Sequence, residues 1–255
     1  MDRIYDKYDL RARLSVAILI IAPIVLDLSF CLKSQEGNIA TVVIALIAIA
    51  LSCCGIAAVR YYSNTSKRIK NRKNLAAIML LPTDSTFSDV TKQRYLDKLT
   101  NINPALSPFV EGINRTDGYE NSCSVISWIL ENTRDSRAYP ILAEDQIGYG
   151  FAKNMYTVKP FALVVFILES IAAIGIVIWK AEGECLMNRI SYAWDLYASE
   201  IIASVAIHLV VLFVWLFIAR KKFYYNAEER LAKAILQSID GMKQQSAVNT
   251  EDATE

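Results

Sequence analysis

Four long apolar stretches, separated by polar segments, dominate the hydrophobic pattern of this sequence. They cover residues 14–32, 39–59, 161–179 and 201–219. Each holds about 19 to 21 residues, and a helix needs about 20 apolar residues to cross the hydrocarbon core of a bilayer. The pattern therefore predicts an all-α membrane protein with four transmembrane helices, which we call spans one to four.

The first stretch has a second interpretation, a cleaved signal peptide. Its apolar run of about 19 residues exceeds the roughly 7–15 residues of a signal-peptide core. The sequence that follows, Cys31-Leu32-Lys33-Ser34, also lacks the paired small residues of a cleavage site. We therefore expect this stretch to be retained as span one.

Lysine and arginine residues flank the spans unevenly, which predicts the orientation of the chain. Basic residues cluster before span one, after span two and after span four, whereas the connectors 33–38 and 180–200 carry few. Basic flanks favour the cytoplasmic side of a membrane. Both termini and residues 60–159 are therefore expected in the cytoplasm.

These features divide the chain into four parts. Residues 1–59 hold the N-terminal segment and spans one and two, 60–159 form a cytoplasmic domain with a basic stalk, 160–219 hold spans three and four, and 220–255 form the tail. The cytoplasmic domain carries 14 basic and 10 acidic side chains, a net charge of +4. It is large enough to fold, and a net positive charge favours polyanionic partners.

The cytoplasmic domain is expected to be mostly helical. Span two should continue as a stalk that ends before Pro82, because proline cannot continue a helix. Ser88 is a candidate N-cap for a helix that reaches about Thr100. Residues 101–118, which contain two prolines, are expected to form a loop.

Further helices are expected on both sides of spans three and four. Two should cover about 120–133 and 145–158, with a break at Pro160 before span three. The run 138–143 could be a strand, but no clear partner strand exists for it. In the tail, the apolar residues of 221–242 recur every three or four positions opposite charged residues, which predicts an amphipathic C-terminal helix.

Three ionisable residues interrupt the spans: Glu169, His208 and Asp27. At 1.5 Å per residue, Glu169 lies about 12 Å and His208 about 16 Å inside the membrane, so both are near the midplane. One interpretation is a water-filled path with an acidic ring and a pH-sensitive histidine. The other is a Glu169–His208 hydrogen bond, or a protonated Glu169, that only fixes helix packing. Asp27, nearer the outer end, could be a vestibule charge, but a structural residue that reaches to the membrane surface is favoured.

Span two is rich in small residues, including Ala45, Ala48, Ala50, Gly55 and Ala57. Small residues allow helices in a membrane to approach closely. Packing within the same chain is the favoured interpretation, and an oligomeric pore lined by this helix is the alternative.

A basic cluster follows span two. It comprises Arg60, Lys67, Arg68, Lys70, Arg72 and Lys73. A topogenic signal or contact with anionic headgroups is the favoured interpretation. The alternative is a phosphate-binding surface for a nucleotide or oligonucleotide, because proteins that bind single strands combine basic grooves with aromatic side chains.

The motif content argues against an enzyme. The sequence has no glycine-rich phosphate loop and no nucleophile elbow, its single histidine excludes zinc sites built from several histidines, and no cysteine pair has metal-site spacing. Cys31 and Cys185 could pair near the outer face in an oxidising compartment, although five cysteines leave one over. We expect no catalytic residue, no metal site and no cofactor.

The order of parts resembles that of membrane effectors encoded beside nucleotidyltransferases in bacterial anti-phage defence operons, in particular the channel effectors of the Hailong system. Three short strings accompany this order: Leu81-Pro82-Thr83-Asp84, Thr133-Arg134-Asp135 and Tyr149-Gly150-Phe151-Ala152-Lys153-Asn154. The resemblance implies a homo-oligomeric ion channel in the bacterial inner membrane. Its opening would depolarise the cell and stop phage propagation by abortive infection.

The resemblance also implies a ligand and a partner. The partner would be a nucleotidyltransferase from the same operon, and its product, a nucleotide or a single-stranded DNA oligomer, would control the gate. The ligand contacts would be Arg68, Arg72, Lys73 and Arg134, and Glu169 would be the pore residue.

Two other classes compete with the channel. The first is a membrane-anchored scaffold or receptor that recruits a cytosolic partner through the amphipathic tail. The second is a small transporter, which would need broken helices or symmetric halves, and these are only weakly indicated.

Overall fold

The structure is a computed structural model that describes residues 8–32, 38–69, 72–115, 118–180 and 185–242. Within these ranges the chain forms helices and turns, and none of these residues lies in a strand. The helices are α1 (Ser15–Leu32), α2 (Asn38–Thr65), α3 (Leu75–Leu80), α4 (Asp89–Ile102), α5 (Ser107–Gly112), α6 (Gly118–Asn132), α7 (Pro140–Lys180), α8 (Leu186–Phe213) and α9 (Lys221–Ser238). The predicted helical fold class is therefore confirmed at this level.

Four helical segments are long and apolar enough to cross a membrane. They are Asp9–Ser29, Val42–Thr65, Pro140–Trp179 and Tyr197–Ile218. Large apolar side chains on these segments are widely exposed, which is unusual for a monomer in water and expected for a surface that faces lipid or other helices. The four-span prediction is confirmed at the level of four candidate membrane-spanning helices, which indicate a membrane protein.

The chain divides into two compact units. The first, which we call the membrane unit, comprises residues 1–70 and 150–224, and the second unit comprises 71–149 and 225–255. The divisions fall at 70/71, 149/150 and 224/225 rather than at the predicted ends of the spans. From Tyr225 onward, α9 therefore belongs to the same unit as residues 71–149.

The core of the membrane unit is formed by α1, α2, α7 and α8, with the π-helical turns that adjoin α1 and α8. Its buried apolar residues include Val16, Ala17, Ile21, Val59, Met155, Val158, Val211 and Trp215. A polar contact joins two of its parts, because Asn154 Nδ2 on α7 donates a 2.8 Å hydrogen bond to the carbonyl oxygen of Ala12 before α1. This hydrogen bond links α7 to the segment that precedes α1.

The second unit has its own apolar core. Its buried residues include Met79, Leu80, Leu99, Ile126, Ile129, Leu236 and Ile239, which come from α3, α4, α6 and the end of the chain around α9. Lys92 is buried beside this core and donates hydrogen bonds to the carbonyl oxygens of Leu81 and Asp84. The buried ammonium group of Lys92 therefore supplies hydrogen-bond donors to carbonyl groups in the turn after α3.

Several local predictions are confirmed. Ser88 accepts a hydrogen bond from the backbone N–H of Thr91 and precedes α4, as expected for an N-cap. The helices expected over 120–133 and 145–158 are present as α6 and as part of α7.

The predicted continuous stalk through residue 81 is wrong. Helix α2 ends at Thr65, and a separate short helix, α3, begins at Leu75. The N-cap of α3 is Asn74, whose Oδ1 accepts hydrogen bonds from the backbone N–H groups of Ala76 and Ala77. An asparagine cap starts a new helix, and this signal outweighs the continuity of the apolar pattern.

One prediction that relied on proline is also wrong, and the strand alternative that was already disfavoured is excluded. The expected loop at 101–118 contains a 3₁₀ turn, Pro104–Leu106, and helix α5, because both prolines occupy first-turn positions where a missing N–H costs nothing. The alternative strand at 138–143 is excluded for the same reason, since Pro140 starts α7. The possible pairing of Cys31 with Cys185 involves a side chain outside the described residues.

The predicted break at Pro160 is absent, because α7 runs through this residue. A proline inside a helix leaves the carbonyl four residues earlier without its hydrogen bond, here that of Tyr156. Arg68 Nη1 donates to this carbonyl oxygen at 3.2 Å. An arginine side chain thus replaces the missing backbone donor and allows the helix to continue.

Helices α1 and α2 approach each other most closely at Gly55. A Cβ atom at this position would lie 2.7 Å from Ile21 Cδ1 and 3.0 Å from Ala17 Cβ. At Gly175 on α7, by contrast, a Cβ atom would meet no other atom within 4 Å. The two glycines therefore form a matched pair, one packed and one open.

Gly55→Leu should lower the stability of the protein in detergent by about 1–3 kcal/mol, because the added side chain would separate α1 from α2. Thermal unfolding followed by circular dichroism measures this change. Gly175→Leu makes the same substitution in open space and should leave the melting temperature nearly unchanged. Equal melting temperatures for the two variants would contradict the close approach at Gly55.

Candidate functional site

Three spans bring four polar side chains together within the membrane unit. Asp27 comes from α1, Glu169 from α7, and Ser204 and His208 from α8. Residues four apart lie on the same face of a helix, so Ser204 and His208 point in one direction. We call this group the polar cluster.

His208 lies at the centre of the polar cluster. Its Nε2 is 3.0 Å from Glu169 Oε1 and 3.1 Å from Oε2, and 3.7 Å from Asp27 Oδ2. Ser204 Oγ donates a 2.9 Å hydrogen bond to Asp27 Oδ1. All three ionisable side chains are largely buried, with exposed fractions of 14% for His208, 13% for Asp27 and 10% for Glu169.

The second ring nitrogen of His208 fixes the state of the imidazole. Nδ1 lies 2.8 Å from the carbonyl oxygen of Ser204. A carbonyl oxygen can only accept, so Nδ1 carries a proton and donates it there. In a neutral imidazole, Nε2 is then an acceptor that faces the carboxylates.

The polar cluster therefore brings several acceptors together with few donors. Asp27 Oδ2 is buried and has no hydrogen-bond partner among the described residues. Burying an unpaired carboxylate in an apolar medium is costly, and two carboxylates beside each other increase that cost. The arrangement calls for a positive charge between the carboxylates and Nε2.

A cavity of about 280 Å³ begins at the polar cluster. Asp27 and Ser204 are its polar lining residues, and the remaining lining is apolar, including Val177 on α7 and Trp194 on α8. The lining residues of α7 follow Glu169 in the chain, and those of α8 precede His208. The cavity thus extends from the cluster toward the ends of α7 and α8 that the 181–184 segment connects.

The structure tests how the three predicted intramembrane residues are placed. Glu169 and His208 are in hydrogen-bond contact, as the packing interpretation expects, and the pore interpretation stays a prediction. Asp27 contacts Ser204 and His208, and its position relative to the membrane surface stays a prediction. Its carboxylate turns inward because Ser204 supplies a donor next to His208.

The four predicted ligand contacts belong to different units. Arg68 lies in the membrane unit, 5.3 Å from the ring centre of Tyr156, and donates to the Tyr156 carbonyl. Arg72, Lys73 and Arg134 belong to the second unit. The ligand surface stays a prediction, and the role that the structure gives Arg68 is to support α7.

The three basic residues of the second unit have different surroundings. Arg72 forms a 2.7 Å ion pair with Glu228. Lys73 Nζ lies 5.0 Å from the ring centre of Tyr119, and burial raises the pKa of this phenol. Arg134 follows α6 and is exposed. Lys73 and Arg134 are therefore better placed for an anionic ligand than Arg72, whose charge is already compensated.

Sequence analysis missed two parts of the site. The first is Ser204, although its four-residue spacing from His208 indicates a shared helix face. The second is a possible metal site that combines one histidine with carboxylates, which motifs built only from histidine and cysteine do not reveal. The single histidine of the chain lies within reach of two carboxylates from two other helices.

His208→Leu should destabilise the protein by about 3–5 kcal/mol, because it leaves two carboxylates together in an apolar environment. The double variant Glu169→Leu/His208→Leu should lose much less stability than the two single variants lose in total, because it removes one carboxylate together with the imidazole. Unfolding in mixed detergent micelles measures these free energies. Val210→Leu, at an exposed position of α8, provides the control. Additive losses would contradict the coupling.

Arg68→Met should destabilise the protein by about 1 kcal/mol, because the Tyr156 carbonyl loses its donor. In a Pro160→Ala background the helix regains a backbone donor for this carbonyl, and Arg68→Met should then have little effect. Thermal unfolding of the four proteins of this cycle measures the difference. An equal loss in both backgrounds would show that Arg68 acts elsewhere.

Comparison with known proteins does not assign the chain to a family. No family model, curated protein or solved structure matches it. The functional assignment therefore depends on the spans and on the polar cluster between them.

Proposed function

We propose that this protein is a homo-oligomeric ion channel of the bacterial inner membrane that serves as an effector of anti-phage defence. The observation that carries the proposal is the polar cluster, in which Asp27, Glu169 and His208 meet between three apolar spans. Ionisable residues are costly inside a membrane and usually mark ion pathways, proton relays or ligand sites. Glu169 is the pore residue of the proposal.

The surface of α2 supports assembly into an oligomer. Only 6% of the residues in its most apolar window are fully buried within the described chain. One face carries Gly55 against α1, but Ala50, Cys53, Cys54 and Ala57 are small and exposed. Small exposed residues at three- and four-residue spacing suit close packing against the helix of another copy.

Regulation by an oligonucleotide is the second element of the proposal. A nucleotidyltransferase encoded in the same operon would make the ligand, a single-stranded DNA oligomer or a related nucleotide. The segment 60–159 has a net charge of +4, and cytoplasmic termini, as the basic flanks indicate, would place it where such a product is made. We take Lys73 and Arg134 as the contacts, because Arg72 is already paired with Glu228 and Arg68 donates to the Tyr156 carbonyl.

The competing scaffold would recruit a partner through the apolar face of the C-terminal helix. In the structure, Ala232, Ala234, Ile235 and Leu236 of α9 are buried in the core of the second unit. A face that is already packed within its own unit does not offer a docking surface. This observation favours the channel over the scaffold.

Reconstitution in liposomes tests the proposal. The purified protein should conduct ions, and a short single-stranded DNA oligomer should change the flux. Glu169→Gln keeps the shape of the side chain but removes its charge, so it should change conductance or the preference for cations several-fold. Glu131→Gln makes the same change at an exposed position of α6 and should conduct like the unmodified protein.

The regulatory part has its own variants. Lys73→Glu and Arg134→Glu should weaken the response to the oligomer while basal flux is retained. If a folded, oligomeric sample carries no flux with or without the oligomer, the channel is excluded and the scaffold takes its place. Flux that no oligonucleotide alters would keep the channel and remove this mode of gating.

A further inference from the structure

The polar cluster contains three groups that commonly bind metal ions. One ligand atom each from Asp27, Glu169 and His208 can be chosen so that all three lie within 4.8 Å of one another. They come from α1, α7 and α8, so the chain must fold before they meet. A set of one imidazole nitrogen and two carboxylate oxygens differs from an acidic patch, because it combines both ligand types of zinc sites.

The spacing of the atoms fits a small metal ion. Ligands at about 2.1 Å from a tetrahedral ion are separated from one another by about 3.4 Å. His208 Nε2 lies 3.0 Å from Glu169 Oε1 and 3.7 Å from Asp27 Oδ2. The two separations from His208 lie on either side of the ideal value, and the third, between the two carboxylates, is no longer than 4.8 Å.

The neighbouring hydrogen bonds orient the groups as metal ligands. A histidine that binds a metal usually donates its other ring N–H to a carbonyl or carboxylate. His208 does so through Nδ1 to the carbonyl of Ser204, which leaves the lone pair of Nε2 directed at the carboxylates. Ser204 Oγ also holds Asp27 Oδ1 and thereby leaves Oδ2 as the ligand atom. One serine orients two of the three groups.

The balance of charge is compatible with a divalent cation. Two carboxylates, a neutral imidazole and a divalent ion are neutral, and so are one carboxylate, a protonated Glu169 and a protonated imidazole. Asp27 Oδ2, buried without a hydrogen-bond partner among the described residues, is the atom that such an ion would satisfy.

From these observations we propose that Asp27, Glu169 and His208 form a binding site for one divalent transition-metal ion of the Zn²⁺ type. Mixed nitrogen and oxygen ligands favour Zn²⁺ over Mg²⁺ or Ca²⁺, which prefer more oxygen ligands. The cavity that begins at Asp27 and Ser204 provides an entry route and space for a fourth ligand. The bound ion joins α1, α7 and α8. This site does not depend on channel activity.

The test uses the full-length protein in detergent, stripped with EDTA and then given ZnCl₂. Elemental analysis after gel filtration should find about one zinc per chain. Free zinc at a hundred times its Kd should raise the melting temperature of the protein by about 5 °C, because the ion binds only the folded protein. Equimolar MgCl₂ should have no such effect.

The variants separate a ligand from a structural residue. Asp27→Asn should lower the affinity for zinc at least a hundredfold. Asp27→Cys should retain zinc binding, because a thiolate also binds zinc. Zinc X-ray absorption should then show a new sulfur ligand at about 2.3 Å. Ser204→Ala keeps all three ligands and should weaken binding about 10–100-fold. Asp195→Asn, an exposed position of α8, is the matched control.

The outcomes are distinct. Zinc binding that Asp27→Asn abolishes and Asp27→Cys restores supports the site, whether or not the protein conducts ions. A folded protein that retains no zinc overturns it and assigns the positive charge of the cluster to protons. Binding that Asp27→Asn leaves unchanged also overturns it. Because no flux is measured, failure of the channel proposal cannot be mistaken for failure of this one.

Discussion

The membrane unit depends on how the charges of Asp27 and Glu169 are compensated away from water. Each carboxylate would be costly alone in an apolar environment, and the only imidazole of the chain lies between them. Because the three groups come from α1, α7 and α8, their compensation requires these helices to be correctly rotated against one another. Apolar packing alone does not set this rotation, since lipid is as apolar as the side chains. The polar cluster therefore specifies the arrangement of the spans as well as their chemistry.

The same rule, that polar groups must be paired where water is absent, explains the details around the cluster. The Tyr156 carbonyl, which Pro160 leaves without a backbone donor, accepts a hydrogen bond from Arg68. The Ala12 carbonyl accepts one from Asn154. In each case a side chain distant in sequence supplies a donor that the local backbone lacks. Arg68 shows how a residue of a basic cluster can be needed for a helix rather than for a ligand.

The sequence predicts the features that the bilayer imposes, such as the length of the spans. It predicts less about the contacts between helices. The spans could be found because a hydrocarbon core demands about 20 apolar residues. The Glu169–His208 contact could be anticipated because both residues lie near the midplane. The inward turn of Asp27 and the role of Ser204 could not, because they depend on helix rotation, which apolar periodicity leaves undefined. Apolar continuity predicts a stalk up to Pro82, whereas the start of a separate helix is signalled by the N-cap Asn74, which the apolar pattern does not show.

The two proposals meet at the same carboxylates, and their electrostatics oppose each other. A permeating cation is attracted by negative charge that is available to it, whereas a bound divalent ion neutralises Asp27 and Glu169 and joins the spans that carry them. A zinc-loaded chain therefore offers neither the charge nor the freedom of movement that conduction at this position needs. The metal content of a preparation becomes a variable of any flux measurement, and stripped and zinc-loaded samples have to be compared before a silent protein is interpreted. If conduction appears only after EDTA treatment, the metal is an inhibitor built into the path. If it is the same in both samples, the ions pass elsewhere, and the exposed face of α2 is then the surface where the pore has to be sought.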